Sequence, residues 1–148
     1  MGPPMKAVIQ RVSRAVVRSG DREAAIGHGL LVLVGLEVGD TSETCAWAAA
    51  KIASLRIFED ANGKMNLGLA EVDGAILAVS QFTLAGSLAR GRRPSFDGAM
   101  APERARSLFD LFLSQLRAQH PRVASGFFQE HMQVELVNDG PVTFLLER

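Results

Sequence analysis

The sequence is poor in the residues that build disulfides, metal centres and membrane spans. It contains a single cysteine, Cys45, so no disulfide can form within the chain, which fits a reducing cytoplasm. Its three histidines, His28, His120 and His131, share no metal-ligand spacing, and no paired cysteines accompany them. No apolar run approaches the roughly 20 residues that cross a bilayer. We therefore expect no bound metal, no cofactor and no membrane partner.

Two families of catalytic motif are missing as well. The sequence has neither a P-loop nor a G-x-G-x-x-G fingerprint, so chemistry on nucleoside triphosphates is not expected. No G-x-S-x-G elbow surrounds Ser80, and the sequence nominates no histidine and carboxylate pair to activate a hydroxyl. A conventional serine hydrolase is therefore not indicated.

The composition indicates one folded domain. The chain has 148 residues, of which 47% are hydrophobic and 22% charged, which is enough to build a sizeable core. We predict a single domain over residues 5–148, preceded by a short leader at residues 1–4. The net charge is zero, but residues 85–122 carry seven arginines against three acidic residues. A local phosphate site and a solvated basic face both remain open for this segment.

The pattern of apolar runs and helix signals predicts an α/β domain. Residues 29–35 and 74–79 form short apolar runs bounded by glycine, which is typical of buried strands. Asp40, with Glu43 three residues later, predicts the capped start of a first helix, and Pro102 suits the first turn of a second. We predict one α/β domain in which mixed and antiparallel sheets pack with two main helices.

Two irregular stretches stand out between these elements. Residues 85–100 form a loop rich in Gly, Ser and Arg, longer than most connections, and long ordered loops are often functional. Residues 138–141 read as a turn between an outgoing strand at 132–137 and a return strand at 142–146. The Gly140–Pro141 bond is expected to be trans on frequency alone. A cis bond would let the carbonyls of Asp139 and Gly140 point where they receive an ammonium group.

The apolar strand at residues 74–79 becomes polar where it ends. Ser80, Gln81 and Thr83 follow it, and buried hydroxyls and amides cost free energy unless they are paired. Hydroxyls that are simply satisfied at a strand end and a functional site are both consistent with this pattern. The residues alone favour the structural interpretation.

Three motifs in order give the sequence a family resemblance. They are Ser80–Leu84, Arg93–Phe96 and Asn138–Thr143, and residues 7–12 and 63–66 accompany them. Together they resemble the D-aminoacyl-tRNA deacylases of the bacterial and eukaryotic type, from about Met5 to the C-terminus. One departure is the stretch at residues 85–89, which is more apolar than the Ala-Asp-Thr-like segment usual in that family.

The resemblance implies a metal-free ester hydrolase that acts on D-aminoacyl-tRNA, and on glycine mischarged on tRNA(Ala). It implies a homodimer in which a cis Gly140–Pro141 turn enters the partner's pocket and excludes L-amino acids. A backbone-assisted water, the ribose 2′-hydroxyl and a Thr83 nucleophile remain alternatives for the attack. The residues this implicates are Ser80, Gln81, Phe82 and Thr83 for catalysis; Asp139, Gly140, Pro141, Phe96 and Met132 for substrate; and Lys64, Arg90, Arg92 and Arg93 for RNA.

Overall fold

Two long strands frame the molecule. Strands β1 (Lys6–Ser19) and β8 (Gln133–Glu147) pair antiparallel along nearly their whole length in the computed structural model, which describes residues 5–147. The leader predicted at residues 1–4 lies outside the described residues. The other elements are β2 (Arg22–Ile26), β3 (Gly29–Gly35), α1 (Ser42–Ala53), β4 (Phe58–Glu59), β5 (Met65–Leu67), α2 (Leu69–Val72), β6 (Ala75–Ser80), a 3₁₀ helix (Phe82–Ala85), α3 (Pro102–Gln119) and β7 (Val123–Ser125).

The main sheet is mixed, as the sequence predicts. On the edge of β1 that faces away from β8, the first half of β1 pairs with β3 and the second half pairs with β2, both antiparallel. Strand β6 then adds parallel to β3, and β7 adds parallel to β6. Strands β4 and β5 form a separate two-stranded sheet. The central position of β6 explains why its sequence is continuously apolar up to Ser80.

Both faces of this sheet are covered. Leu30, Val32 and Ile76 belong to a large cluster with α1 and α3, whereas Leu31 and Leu77, one residue along each strand, belong to a second cluster on the opposite face. Alternation of side chains along a strand produces this division. The two main helices that the sequence predicts, α1 and α3, cover the larger cluster.

The first helix begins one residue later than the Asp40 and Glu43 pattern predicts. Thr41 is the N-cap, and its hydroxyl accepts a hydrogen bond from the Thr44 N–H at 3.4 Å, while the Thr44 hydroxyl accepts from the Thr41 N–H at 2.9 Å. The Asp40 carboxylate is occupied elsewhere, because it accepts a 2.7 Å bond from the backbone of Glu37. The second prediction is confirmed, since Pro102 lies in the first turn of α3.

The predicted turn at residues 138–141 is wrong as a chain reversal. Both flanks of this segment pair with β1 in the same antiparallel direction, with Asn138 opposite Val12 and Thr143 opposite Gln10. Five steps along β8 therefore face two steps along β1, and the excess residues loop out of the sheet. We call residues 138–142 the bulge. Turn-forming residues and a long bulge share the same Asn, Asp, Gly and Pro composition, which is why sequence did not separate them.

Candidate active site

Strand β6 ends at Ser80 and the chain turns into the 3₁₀ helix. The Gln81 N–H makes a last bond to the strand, donating to the Val34 carbonyl at 2.7 Å. Phe82 and Thr83 are then the first two helical residues, and Gln81 supplies no side-chain cap. The N–H groups at the start of a helix have no acceptor within the helix. The strand end therefore presents two adjacent backbone donors.

A cavity of about 510 Å³ opens beside this strand end. Its lining is largely apolar with a few polar groups, the usual composition of a site for a small organic ligand. We call it the strand-end cavity. It is lined by Leu36, Ser80, Phe82, Met100, Pro102, Ala105, Phe128, Gln129, Glu130, His131 and Met132.

Phe82 lines the strand-end cavity and packs against a second aromatic ring, Phe96. Phe82 is 62% exposed, and its ring centroid lies 5.3 Å from that of Phe96, which comes from the arginine-containing loop. Gly86 permits this arrangement, because a Cβ there would come within 2.8 Å of the Phe96 ring. An exposed phenylalanine beside a cavity offers an apolar surface to a planar ligand.

The hydroxyls of the strand end have modest surroundings. The Thr83 hydroxyl accepts a 3.1 Å hydrogen bond from the side-chain amide of Gln81, which holds the oxygen but does not remove its proton. Ser80 is half-buried and lines the strand-end cavity. Of the four consecutive residues predicted for catalysis, Ser80 and Phe82 line the strand-end cavity, whereas Gln81 and Thr83 do not.

The bulge is a well-held protrusion that exposes Asp139, Gly140 and Pro141. Its Gly140–Pro141 bond is cis, as the family resemblance implies and unlike the trans bond expected on frequency alone. The Asn138 side chain closes it by accepting a 2.7 Å bond from the Val142 N–H. Gly140 has φ +145, and a Cβ there would lie 2.6 Å from a Val142 methyl group. The position therefore requires glycine.

A buried arginine fixes the bulge from behind. Arg11 is 5% exposed, and its guanidinium donates to the carbonyls of Asp139 and Ile57, each at 2.9 Å. Glu59 lies 3.6 Å from the Arg11 guanidinium, and Arg11, Glu59 and Asp139 border a second cavity of about 220 Å³. The Asp139 carbonyl, one of the two carbonyls that the sequence suggested for an ammonium group, thus accepts from Arg11. The sequence offered Arg11 only as part of a motif, without this role.

The two regions are far apart in one chain. Strands β8 and β6 are separated by β1 and β3, which places the bulge three strand spacings, about 14 Å, from the strand end. The two cavities share no lining residue. The chain therefore does not bring Asp139, Gly140 and Pro141 to Ser80–Thr83, whereas it does bring Phe96 and Met132 there.

The predicted RNA-binding arginines lie on an ordered loop. Ser87 and Ser95 exchange backbone hydrogen bonds of 2.7 and 2.9 Å, which closes the loop we call the arginine loop, residues 87–95. Arg90, Arg92 and Arg93 are exposed at its tip. Lys64 is exposed too, but it lies in the turn between β4 and β5, and Glu59 of β4 borders the second cavity near the bulge.

One wall of the strand-end cavity has no signal in the sequence. Residues 128–131 carry no recognisable motif, yet they line the cavity together with Met132, which the family resemblance does implicate. Gln129 has φ +61, an uncommon conformation for a residue other than glycine. No pattern in the sequence announces that conformation.

The single cysteine, Cys45, has a structural role. Cys45 is fully buried, and burial raises the pKa of its thiol to about 11, as befits core packing rather than a nucleophile. Within residues 5–147, no group of three or more His, Cys, Asp or Glu residues is placed to hold a metal. No helix in the same part of the chain is long and apolar enough to cross a membrane.

Comparison with known proteins decides the family. A model of the family described as D-Tyr-tRNA(Tyr) deacylase matches residues 8–147. A D-aminoacyl-tRNA deacylase of Geobacter sulfurreducens is 58% identical over 144 residues, covering 97% of this chain and 95% of the relative. The chain belongs to the D-aminoacyl-tRNA deacylase family. A second relative of that name, from Pelobacter propionicus, is 58% identical over 145 residues, with 97% and 100% covered.

Solved structures agree on the fold of this deacylase. A chain titled c-Myc DNA Unwinding Element Binding Protein superposes with a TM-score of 0.91 at 41% identity, covering 97% of this chain and 98% of its own. A structure titled as a probable eukaryotic D-amino acid tRNA deacylase has a TM-score of 0.87 at 19% identity, with 98% and 100% covered. The latter identity is low, so it supports the fold alone.

Proposed function

We propose that this deacylase hydrolyses the ester that joins a D-amino acid to the 3′-terminal adenosine of tRNA, releasing free amino acid and tRNA in the cytoplasm. Family membership carries the reaction class. The observation that supports the site is the end of β6, where Ser80 and the first N–H groups of the 3₁₀ helix border a cavity large enough for an aminoacyl-adenosine.

The backbone N–H groups of Phe82 and Thr83 are proposed as the oxyanion donors. Ester hydrolysis builds negative charge on the carbonyl oxygen, and fixed donors aimed at that oxygen lower the barrier. These two N–H groups are adjacent, belong to rigid backbone, and have no acceptor within their helix. Donors of this kind need no ionisation and therefore no titratable catalytic group.

A water molecule is the nucleophile we favour. The Thr83 hydroxyl holds a bond from the Gln81 amide, which is a donor and not a base, so nothing in that bond activates the oxygen. An ester to a ribose is already labile, so holding water and the ribose 2′-hydroxyl near the carbonyl supplies much of the rate. Ser80, which lines the strand-end cavity, is proposed to orient that water. A nucleophilic Thr83 remains the alternative, and Thr83→Ala separates the two because it abolishes turnover only in that case.

Chiral selection is proposed to come from a second copy of the chain. One chain separates the bulge from its own strand-end cavity, so the Gly140–Pro141 turn serves a cavity only across a dimer interface. The Gly140 carbonyl would receive the substrate ammonium group and leave no room for an L side chain. Glycine has no side chain to exclude, so glycine mischarged on tRNA(Ala) is expected to be a substrate as well.

Contact with RNA is proposed for the arginine loop. Arg90, Arg92 and Arg93 are exposed together on this loop, and Phe96, directly after it, contacts Phe82 of the strand-end cavity. Guanidinium groups on that loop would bind phosphates of the acceptor end while Phe82 or Phe96 contacts the terminal adenine. Lys64 lies in the turn between β4 and β5, on the side of the bulge, so it would meet the acceptor end only from a second chain.

Turnover of matched D- and L-charged tRNA, without added metal, tests the proposal. We expect rapid loss of the D-ester and loss of the L-ester at the buffer rate. Equal loss of both enantiomers would instead indicate a general ester hydrolase. Tight binding with no turnover would indicate a protein that only shelters the tRNA end.

A further inference from the structure

Residues 128–131 form one wall of the strand-end cavity. The tip of the β1–β2 hairpin contacts this wall from the side away from the cavity. Ser19 and Arg22 face each other at the tip of the β1–β2 hairpin. The carboxylate of Glu130, a cavity-lining residue, accepts a 2.7 Å bond from the Ser19 hydroxyl and a bond from the Arg22 guanidinium. The same guanidinium lies 4.3 Å from the ring centroid of Phe127. One arginine thus holds two residues of one segment.

The segment needs such support because its conformation is costly. Gln129, between the two gripped residues, has φ +61. A non-glycine residue in this region costs free energy and persists where its surroundings over-determine it. The turn around it is closed by a 3.3 Å bond from the Glu130 N–H to the Phe127 carbonyl. Without the grip, this turn is free to relax toward a less strained backbone.

Strand β6 and helix α3 also hold the segment, through contacts with Gly126 and Phe128. The Gly126 N–H donates to the Ala78 carbonyl of β6 at 2.9 Å, and the Arg106 guanidinium of α3 lies 4.7 Å from the Phe128 ring centroid. Phe128 also packs against Phe109 at 6.1 Å. Strand β6 and helix α3 are parts of the core, so they are rigid anchors. The hairpin tip, in contrast, supports the segment from outside the core.

We propose that Arg22, acting through Glu130 and Phe127, is a positioning residue that sets the shape of the strand-end cavity. It does not line the cavity itself and acts by holding residues 128–131 against the substrate side. Exposed ion pairs contribute little as isolated pairs, but here a carboxylate with two donors and a stacked guanidinium act on one short turn. The kinetic part of this inference rests on the proposed function.

The test compares Arg22→Ala with wild type in two measurements. With D-aminoacyl-tRNA as substrate, we expect KM to rise about fivefold with little change in kcat, because a displaced wall weakens substrate and transition state alike. By hydrogen exchange and mass spectrometry without substrate, we expect faster exchange confined to residues 126–132. Each variant is assayed well below its own melting temperature.

Companion variants separate positioning from general stability. Arg122→Ala removes an exposed arginine that bridges to Asp73, away from the cavity, and is expected to change neither measurement. Combining Glu130→Gln with Arg22→Ala should add less than the two single effects summed, since both residues belong to one grip. Arg22→Lys keeps the charge but not the planar stack and is expected to restore KM only in part.

The outcomes distinguish this positioning role from the proposed function. Unchanged exchange in residues 126–132 and an unchanged KM for Arg22→Ala would overturn the positioning role while leaving the deacylase assignment intact. If wild type shows no turnover, the proposed function fails, and the exchange measurement alone decides whether Arg22 holds the segment. Exchange that rises evenly across the whole chain would reduce Arg22 to a residue of general stability.

Discussion

The strand end and the bulge are built in opposite ways. The strand end is a recess, with a cavity of about 510 Å³, backbone donors at Phe82 and Thr83, and an exposed aromatic ring. The bulge is a protrusion whose backbone is held from behind by the buried Arg11. A recess supplies volume and a held protrusion supplies shape. The strand end has the volume that the bulge lacks, and the bulge has the fixed projecting backbone that the strand end lacks. A single chain nevertheless holds the two regions apart.

A substitution that distorts the bulge is expected to have the largest effect on turnover and on the D/L ratio. In Gly140→Ala, the added Cβ would meet Val142 at a φ that L residues rarely adopt, so the bulge must shift. We expect turnover of D-aminoacyl-tRNA to fall about a hundredfold and the D/L ratio to fall with it, as 1 Å misplacements near a reacting centre can do. Parallel assays on both enantiomers measure this.

Gly63→Ala is the matched control for that change. Gly63 has φ +74 and open space around its Cβ direction, so the substitution adds backbone strain without a clash. We expect a loss of about 1 kcal/mol in unfolding free energy with an unchanged D/L ratio. A ratio that falls equally in both variants would show that strain anywhere, rather than the bulge itself, determines selectivity.

Removing the support behind the bulge is expected to rank second. Arg11→Met deletes the donors to the Asp139 and Ile57 carbonyls in a buried site, which we expect to cost about 2–4 kcal/mol in urea denaturation and to reduce the D/L ratio. Arg14→Met, an exposed neighbour paired with Glu135, is the control and should cost under about 1 kcal/mol. A destabilised Arg11→Met protein with an unchanged ratio would remove Arg11 from the selectivity account.

Substituting Phe82 at the strand end should change KM more than the D/L ratio. Phe82 is 62% exposed, so Phe82→Ala is expected to cost little stability but to raise KM about tenfold if a base stacks on it. Val38→Ala, at a valine 53% exposed, controls for loss of an exposed apolar side chain. A KM equal to wild type would exclude the ring from substrate binding.

Sequence predicted the recess better than the protrusion. Strand β6 and its polar end follow local rules of apolar runs and strand signals, so the sequence located the strand end at Ser80–Thr83. The catalytic role of these residues came only from the family resemblance and stays a prediction. The bulge is defined by register with β1, a pairing between residues more than a hundred positions apart, so its composition alone suggested a chain reversal. The role of Arg11 depends on the same distant pairing. The start of helix α1 was predicted one residue too early. Asp40 and Thr41 are both good N-cap residues, and Thr41 caps the helix while the Asp40 carboxylate accepts from the Glu37 N–H.

Salt dependence tests the arginine loop with a smaller effect. Replacing Arg90, Arg92 and Arg93 with glutamine is expected to raise KM modestly and to flatten its dependence on salt, by a slope of about 0.7 for each phosphate that is no longer bound. Arg117→Gln, on α3, serves as the charge control. A salt slope unchanged from wild type would assign these arginines to a solvated face.

The smallest effect is expected at Cys45. Because burial raises the pKa of its thiol to about 11, very little thiolate forms near neutral pH, and the native protein should resist thiol alkylation. Cys45→Ala is expected to leave kcat unchanged. Fast alkylation with loss of activity would show a nucleophile where we infer core packing.

Subunit complementation tests most directly the claim that a recess in one chain is completed by a protrusion from another. Gly140→Ala damages the bulge, and Ala105→Phe fills the cavity from its lining. Each variant alone should be nearly inactive. After the two are unfolded together and refolded as a mixture, random pairing gives one intact site in each mixed dimer, about a quarter of wild-type turnover. No recovery, with mixed dimers present, would contradict the account and place both parts of the site within one chain.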